Sequence, residues 1–371
     1  MRTAGIICEY NPFHWGHRFQ IEKTREILGM DTAIVCLMSG NFVQRGEPAL
    51  YHKSLRTEAA LRNGADLVLE LPITTAVNAA GYFASGAVSY LQKLGCIDYI
   101  SFGSEGGDLG QLRAAAAALD SEAFEAKLAQ ELKTGVSYAR ARTQALGASG
   151  VLLQSPNNAL GVEYIRTLNR LGSRIEPMTV QRDFSHASAT EIRGNPGAHT
   201  LPGGEIYSNA PPHTLQNGER AMLAVLRSLP EERFWEMAFE GEGLYSKVMK
   251  ACRRENGLED IIMSCKSKRY AYSRLRRTLL CLFLGLDGET MQQESPYLRV
   301  LGCNNRGRMV LRQAGERGEI PLVSGAIPRT DQARAYFALE QRAGDLYTLF
   351  VPEEIREPWG QEKNHRPIIL E

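Results

Sequence analysis

Short apolar runs alternating with amphipathic stretches fill the first half of the chain, and few folds accommodate that pattern. The runs are Ala4–Cys8, Thr32–Met38, Leu67–Leu71, Ile97–Phe102 and Arg174–Val180. Thr32–Met38 is continuous and partly β-branched, as a strand buried on both faces should be. Helical stretches separate the runs: Ser54–Arg62 with Asn63-Gly64 as its stop, Gly81–Leu94, Leu109–Leu132, Tyr138–Leu146 and Leu160–Leu171. Strands alternating with helices predict an α/β protein built on a doubly wound parallel sheet. Ligands of such sheets sit outside the carboxyl ends of the strands, where the strand order reverses.

The first of those ends carries chemistry. After Ala4–Cys8 come Glu9-Tyr10-Asn11-Pro12-Phe13-His14-Trp15-Gly16-His17 and then a helical pattern. A strand, a tight turn and a helix N-terminus make an anion site, because free backbone N–H groups and the helix dipole both favour phosphate. The His14 and His17 imidazoles can add hydrogen bonds as phosphate charge redistributes. A His pair can also be a metal site, but this spacing, across a Gly and with no Glu between, is not the His-Glu-x-x-His of zinc proteases. No third ligand is evident nearby, and no protein-held metal is expected. A second segment, Ser188-Ala189-Thr190-Glu191-Ile192-Arg193, reads in two ways. It is a helix cap, or it is a phosphate clamp made of the Ser188 and Thr190 hydroxyls with Arg193. Its place after the fifth apolar run favours the clamp.

A length of 371 residues suggests two domains. A net charge of +1 excludes a polybasic binder, so any nucleic-acid affinity must be local. Seven cysteines lie singly with no Cys-x-x-Cys pair, which suggests a reducing compartment. With no leader-like start and no apolar run long enough to span a bilayer, a cytoplasmic protein is expected. The Gly- and Pro-rich stretch from Gly194 to Pro212 marks a boundary between a first domain, 1–200, and a mainly helical C-terminal domain, 201–371. Helical patterns there run over Glu219–Ser228, Gly243–Arg254, Leu258–Ser264, Tyr272–Phe283, Asn305–Arg312 and Asp331–Asp345. Lys247, Lys250, Arg253 and Arg254 precede Lys266, Lys268, Arg269, Arg274, Arg276 and Arg277, with Tyr270 and Tyr272 interleaved. Such a run is usually a solvated face; its density and its aromatics suit an RNA backbone with unstacked bases.

The His-x-Gly-His and Ser-Ala-Thr-Glu-Ile-Arg pair resembles the nucleotidyltransferase superfamily, in which a nucleophile attacks the α-phosphate of ATP and pyrophosphate leaves. Longer segments narrow the likeness: Met38–Pro48, Gly64–Pro72, Phe102–Glu105, Ser155–Asn158 and Lys266–Tyr270. Over nearly the whole chain they are similar to the bacterial tRNA(Met) cytidine acetate ligase family. The resemblance implies a Rossmann-like nucleotidyltransferase fold. It implies activation of acetate by ATP as acetyl-adenylate, then acetylation of N4 of the wobble cytidine 34 of elongator tRNA(Met). Carried over, ATP binding falls on Ile7, Cys8, Glu9, Tyr10, Asn11, Pro12, Phe13, His14, Trp15, Gly16, His17, Arg18, Phe19 and Gln20. It also falls on Gly103, on Asn157 (chosen over Asn158 by spacing), on Arg182, and on Ser188 and Thr190. His14, His17 and Arg193 are the expected catalytic residues, with Mg²⁺ bridging phosphate oxygens.

The loop after the second run reads as an ordinary surface connection or as the acetate and cytidine pocket, through Ser39, Gly40, Asn41 and Arg45. Lys53 is a charge partner there or, with Arg56, part of a solvated helix face. The expected tRNA contacts are Lys266, Lys268, Arg269, Tyr270, Arg274 and Arg277. Only Asp183–Ala187 separates Arg182 from Ser188, where family members usually carry a longer stretch. Two other functions compete. One is nucleotidyl transfer to a small metabolite, which the basic second half argues against. The other is RNA binding without catalysis, which intact His14, His17 and Arg193 argue against.

Overall fold

A computed structural model of the protein describes residues 1–237 and 243–371. Its strands are β1 (Thr3–Cys8), β2 (Ala33–Ser39), β3 (Phe42–Val43), β4 (Glu47–Pro48), β5 (Leu67–Leu71), β6 (Tyr99–Ser104), β7 (Glu176–Gln181), β8 (Leu298–Cys303), β9 (Leu322–Val323) and β10 (Ile368–Ile369). The main sheet runs β10-β8-β5-β2-β1-β6-β7, with β9 also on β8. From β5 to β7 all neighbours are parallel. The chain builds outward from β1 through β2 to β5, then crosses back to lay β6 on the other side of β1. The order therefore reverses between β1 and β6, and the crevice at their carboxyl ends is the ligand position of a doubly wound sheet.

Burial follows the period of two along each strand. Val35, Leu37, Leu67 and Leu69 face one core with helices Ala80–Lys93, Leu109–Leu119 and Pro156–Arg170. Ile34, Cys36, Met38 and Val68 face the other, against helices Trp15–Leu28 and Lys53–Arg62. A third core, with Met222, Leu226, Val248, Cys252, Leu279 and Phe283, belongs to the helices of the second half. All seven cysteines are buried and free. Among the described residues no helix is long and apolar enough to cross a membrane.

Two differences from the sequence-based expectation bear on the architecture. The long helix over Leu109–Leu132 is two, Leu109–Leu119 and Glu122–Leu132. Ser121 breaks it by accepting the Phe124 N–H on its Oγ at 3.2 Å, an N-cap that starts a new helix. The second difference is β8, which runs antiparallel to β5 and brings the second half of the chain back into the sheet. The second half is mainly helical, but the sheet crosses the boundary drawn at residue 200.

β8 is anchored by charge. Arg299 donates to Glu340 at 2.7 Å and lies 3.4 Å from Glu70. Lys53 Nζ lies 2.8 Å from Glu70 and 2.6 Å from Glu362. Lys53 and Arg299 are each 2% exposed, so the solvated-face reading of the Lys53–Arg62 helix start fails. Arg56 is buried too, and donates to the carbonyls of Tyr51, Glu9, Ser39 and Gly40. Burial pushes the Glu340 carboxyl up to about 7 against the pull of Arg299. Replacing Lys53 by Met leaves Glu70 and Glu362 buried without their ammonium. We expect Lys53→Met to lose about 3–5 kcal/mol in urea unfolding; a loss below about 1 kcal/mol would mean the cluster adds nothing to stability.

Candidate active site at the strand ends

The loop after β1 is shaped by its two histidines. His14 is the N-cap of helix Trp15–Leu28. Its Nδ1 accepts the Gly16 N–H at 3.1 Å, and Nδ1 of His17 accepts the His14 N–H at 3.2 Å. This is a capping box built from imidazoles. The rings stack with centroids 3.7 Å apart. A Cβ on residue 16 would lie 2.9 Å from Cε1 of His14, so the glycine between the histidines makes room for the ring. A neutral imidazole that accepts on Nδ1 carries its proton on Nε2. Each histidine therefore offers an Nε2–H donor. Burial, reinforced by Arg182, Arg193 and His186, lowers the His14 pKa to about 4; burial and His14 hold His17 well below its ordinary value. Both are neutral near pH 7.

Arg193 reaches this loop from the far end of the first half. It donates from Nη1 to the Asn11 carbonyl at 2.8 Å, and its Nε lies 3.6 Å from Glu47. Ser188 is a helix cap: its Oγ accepts the Glu191 N–H, and its own N–H donates to Glu191 at 2.7 Å. Thr190 is exposed and accepts weakly from Arg193 at 3.4 Å.

Just past the end of β6, Asn157 and Arg182 converge on Glu105, and Gly103 lies beside Arg182. Asn157 Nδ2 donates to Glu105 Oε1 at 3.1 Å, and Arg182 Nη1 lies 3.4 Å from the same oxygen. A Cβ on Gly103 would touch Arg182 Cγ at 3.5 Å. Asn158 is buried, and its Oδ1 accepts the Glu105 N–H at 3.1 Å. Sequence reasoning gives Glu105 no role of its own; its position one residue past β6 is the signal that could have found it.

The remaining loop residues divide. Cys8, Tyr10 and Phe13 turn their side chains into the core, and Ile7 packs against it. Trp15 donates from its indole to the Thr200 carbonyl at 3.0 Å, Arg18 pairs with Glu22, and Gln20 donates to the Ser101 carbonyl at 3.1 Å. Phe19 packs on the core partly buried. The Glu9 carboxylate accepts the Gln44 N–H at 2.8 Å, and burial raises its pKa. The short Asp183–Ala187 connection places His186 beside Trp15, with ring centroids 6.1 Å apart.

The loop after β2 forms the third wall. Arg56 holds the Ser39 and Gly40 carbonyls, and Asn41 Oδ1 accepts the Lys53 N–H at 3.1 Å. Ser39 Oγ is buried without a hydrogen-bond partner. Arg45 stands exposed on the β3–β4 hairpin. On the second half, Lys266, Lys268 and Arg269 are exposed in the turn before helix Tyr272–Leu284. Tyr270 departs from the expected RNA contact: it is 8% exposed and packs in the helical core, with Arg274 over its ring at 5.6 Å. Arg277 is half-buried, and that burial lowers its pKa. Among the described residues no group of three His, Cys, Asp or Glu side chains is placed to hold a metal ion.

The chain matches the HIGH Nucleotidyl Transferase family over residues 1–362. It is 35% identical to the tRNA(Met) cytidine acetate ligase of Acetivibrio thermocellus, with 100% of both chains covered. It is 37% identical to the enzyme of that name from Caldicellulosiruptor saccharolyticus, over 100% of this chain and 99% of the relative. The crystal structure of Thermotoga maritima TmcAL bound with alpha-thio ATP superposes with a TM-score of 0.91 at 30% identity, covering 100% of both chains.

The buried imidazoles couple stability to pH. His14 titrates near 4 in the folded chain against 6.5 for a free imidazole, so between those values the unfolded chain binds more protons. Its contribution is complete above pH 6.5 and is lost as pH falls through 4. His14→Asn keeps a capping side chain without the titration. We expect its unfolding free energy to fall less between those pH values than that of the wild type, by on the order of 2–3 kcal/mol. Identical pH profiles would show that His14 is not held neutral.

Proposed function

The chain belongs to the tRNA(Met) cytidine acetate ligases within the HIGH nucleotidyl transferase family, and from that premise we propose that it acetylates tRNA at the expense of ATP. Acetate attacks the α-phosphorus of ATP, pyrophosphate leaves, and acetyl-adenylate forms. The N4 amine of cytidine 34 of elongator tRNA(Met) then attacks the acetyl carbonyl, loses a proton, and AMP leaves. The single observation that carries this reading is the meeting of Arg193 with the His14–His17 loop at the reversal of strand order.

The residues fit the chemistry. Two Nε2–H donors and Arg193 stabilise charge that grows on the phosphates. No nucleophilic side chain is needed, because the mixed anhydride is itself the acyl donor. Among the described residues no side-chain set is placed to hold Mg²⁺, and in this reading the ion that accompanies ATP would be held by the phosphate oxygens. We assign Glu105 with Gly103, Asn157 and Arg182 to the adenosine end. Ser39, Gly40, Asn41 and Arg45 line the acetate and cytidine approach in this reading. The exposed Lys266, Lys268 and Arg269 are its tRNA contacts, with residues 201–371 carrying the RNA and 1–200 the nucleotide. Its place of work is the cytoplasm, where its tRNA is.

Labelled acetate, ATP and bacterial tRNA test this directly. Label should enter tRNA only when ATP is present. Pyrophosphate release with a small acceptor and unlabelled tRNA would overturn the reading. His14→Ala and His17→Ala should each slow adenylation about 10²–10³-fold, with tRNA affinity unchanged. Replacing Lys266, Lys268 and Arg269 by Gln should do the reverse, and should flatten the salt dependence of tRNA binding by about one unit of log–log slope per lost phosphate contact.

A further inference from the structure

We propose that Arg276, on helix Tyr272–Leu284 of the second half, completes the adenylation site as a positioning residue, acting through Glu47 on Arg193. The inference rests on the proposed function, since it takes Arg193 to face the nucleotide phosphates.

Glu47, on β4, stands between two guanidinium groups. Its Oε1 lies 3.6 Å from Arg193 Nε and its Oε2 lies 3.2 Å from Arg276 Nη1. Arg276 also donates from Nε to the Arg45 carbonyl at 2.6 Å, so one planar group grips the hairpin at its turn and at its returning strand. The Tyr272 ring lies 5.6 Å from the Arg276 guanidinium, and Tyr272 is itself tied to Glu259 at 2.6 Å. Between the two gripped points Gly46 has φ +76°, and a Cβ there would lie 2.7 Å from the Arg277 backbone nitrogen. The turn is therefore seated directly on the helix. Glu47 and Arg193 are each 18% exposed and Arg276 is 19% exposed, so solvent only partly screens their charges.

This sharing matters for Arg193. Its helix, Ala189–Gly194, is short, and its firm contact with the first loop is the Asn11 carbonyl at 2.8 Å. With Arg276 in place, the Glu47 carboxylate is divided and stays 3.6 Å from Arg193. Without Arg276, Glu47 has one cation left. It can then close on Arg193, turning the guanidinium from the loop and competing with phosphate. Arg276 thus serves ATP chemistry from the half of the chain read as the RNA binder.

The test is acetate-dependent exchange of labelled pyrophosphate into ATP, measured without tRNA. Arg276→Gln should lower kcat for exchange about tenfold. Arg276→Lys, which keeps the charge but loses the planar fork, should fall between. The double variant E47Q/R276Q removes the competing carboxylate, so it should be no slower than Arg276→Gln; that non-additivity is the signature of coupling. Arg312→Gln, which removes a charge from a side chain 84% exposed elsewhere, should leave exchange unchanged. Thermal melting of each variant separates misfolding from mispositioning. Full exchange activity in folded Arg276→Gln, or additive losses in the double variant, would overturn the inference. No exchange in the wild type would instead overturn the proposed function.

Discussion

The Lys53 ammonium, buried between Glu70 and Glu362, is the contact on which the assembly of the two halves depends. Its helix, Lys53–Arg62, packs under the first loop; Glu70 comes from β5 and Glu362 from the C-terminal tail. Arg299 of β8 and Glu340 of helix Asp331–Tyr347 complete the cluster. Burying such ions is costly unless each finds its partner, so every one of these segments must arrive in register. Were all five ionised, three carboxylates would face two cations. The raised pKa of Glu340 lets the cluster shed that surplus by keeping a proton. The cluster also reaches the site. Lys53 donates its backbone N–H to Asn41, and a side chain on Gly40 would collide with the Glu70 carboxylate. The floor of the loop after β2 is therefore set by residues as distant as the tail.

At the candidate site, helix capping and the proposed chemistry use the same side chains. The Nδ1 acceptors that satisfy the first N–H groups of helix Trp15–Leu28 also decide where each imidazole carries its proton. Burial keeps the rings neutral, so they bring oriented donors without bringing fixed charge. In the proposed site the fixed charge comes from Arg182, one residue past β7, and from Arg193 on the short helix after it. A single substitution in the loop thus disturbs helix start, tautomer and charge balance together.

What was legible in the sequence follows from how local each signal is. β1, β2 and β5 to β7 announce themselves because strands buried on both faces need continuous apolar runs. β8 does not, because Arg299 and Gly302 interrupt Leu298–Cys303, and the carboxylates that make Arg299 tolerable lie far along the chain. Helix Leu109–Leu132 was read as one because five alanines mask a serine cap. His14, His17 and Arg193 stand out in the sequence because each belongs to a short motif that follows an apolar run. Glu105 and Glu47 were not assigned roles, since each acts by standing between partners that only the fold brings near. The burial of Tyr270 is not legible for a related reason: aromatic residues in a basic run look the same in sequence whether they face solvent or the core.

The hairpin of β3 and β4 changes how the two halves divide their work. A chain split at residue 200 would put phosphate chemistry in one piece and RNA in the other. The hairpin leaves the loop after β2, which the proposed function places at the acetate and cytidine approach, and is seated on helix Tyr272–Leu284, which opens just after the exposed Lys266–Arg269 turn. Its Glu47 touches an arginine from each side. An RNA docked on the basic turn would therefore press on the same helix that fixes the hairpin, and through it on the arginine at the phosphates. In such an arrangement the amine donor approaches along the element that orders the adenylation site, which keeps the reactive anhydride close to where its acceptor must arrive.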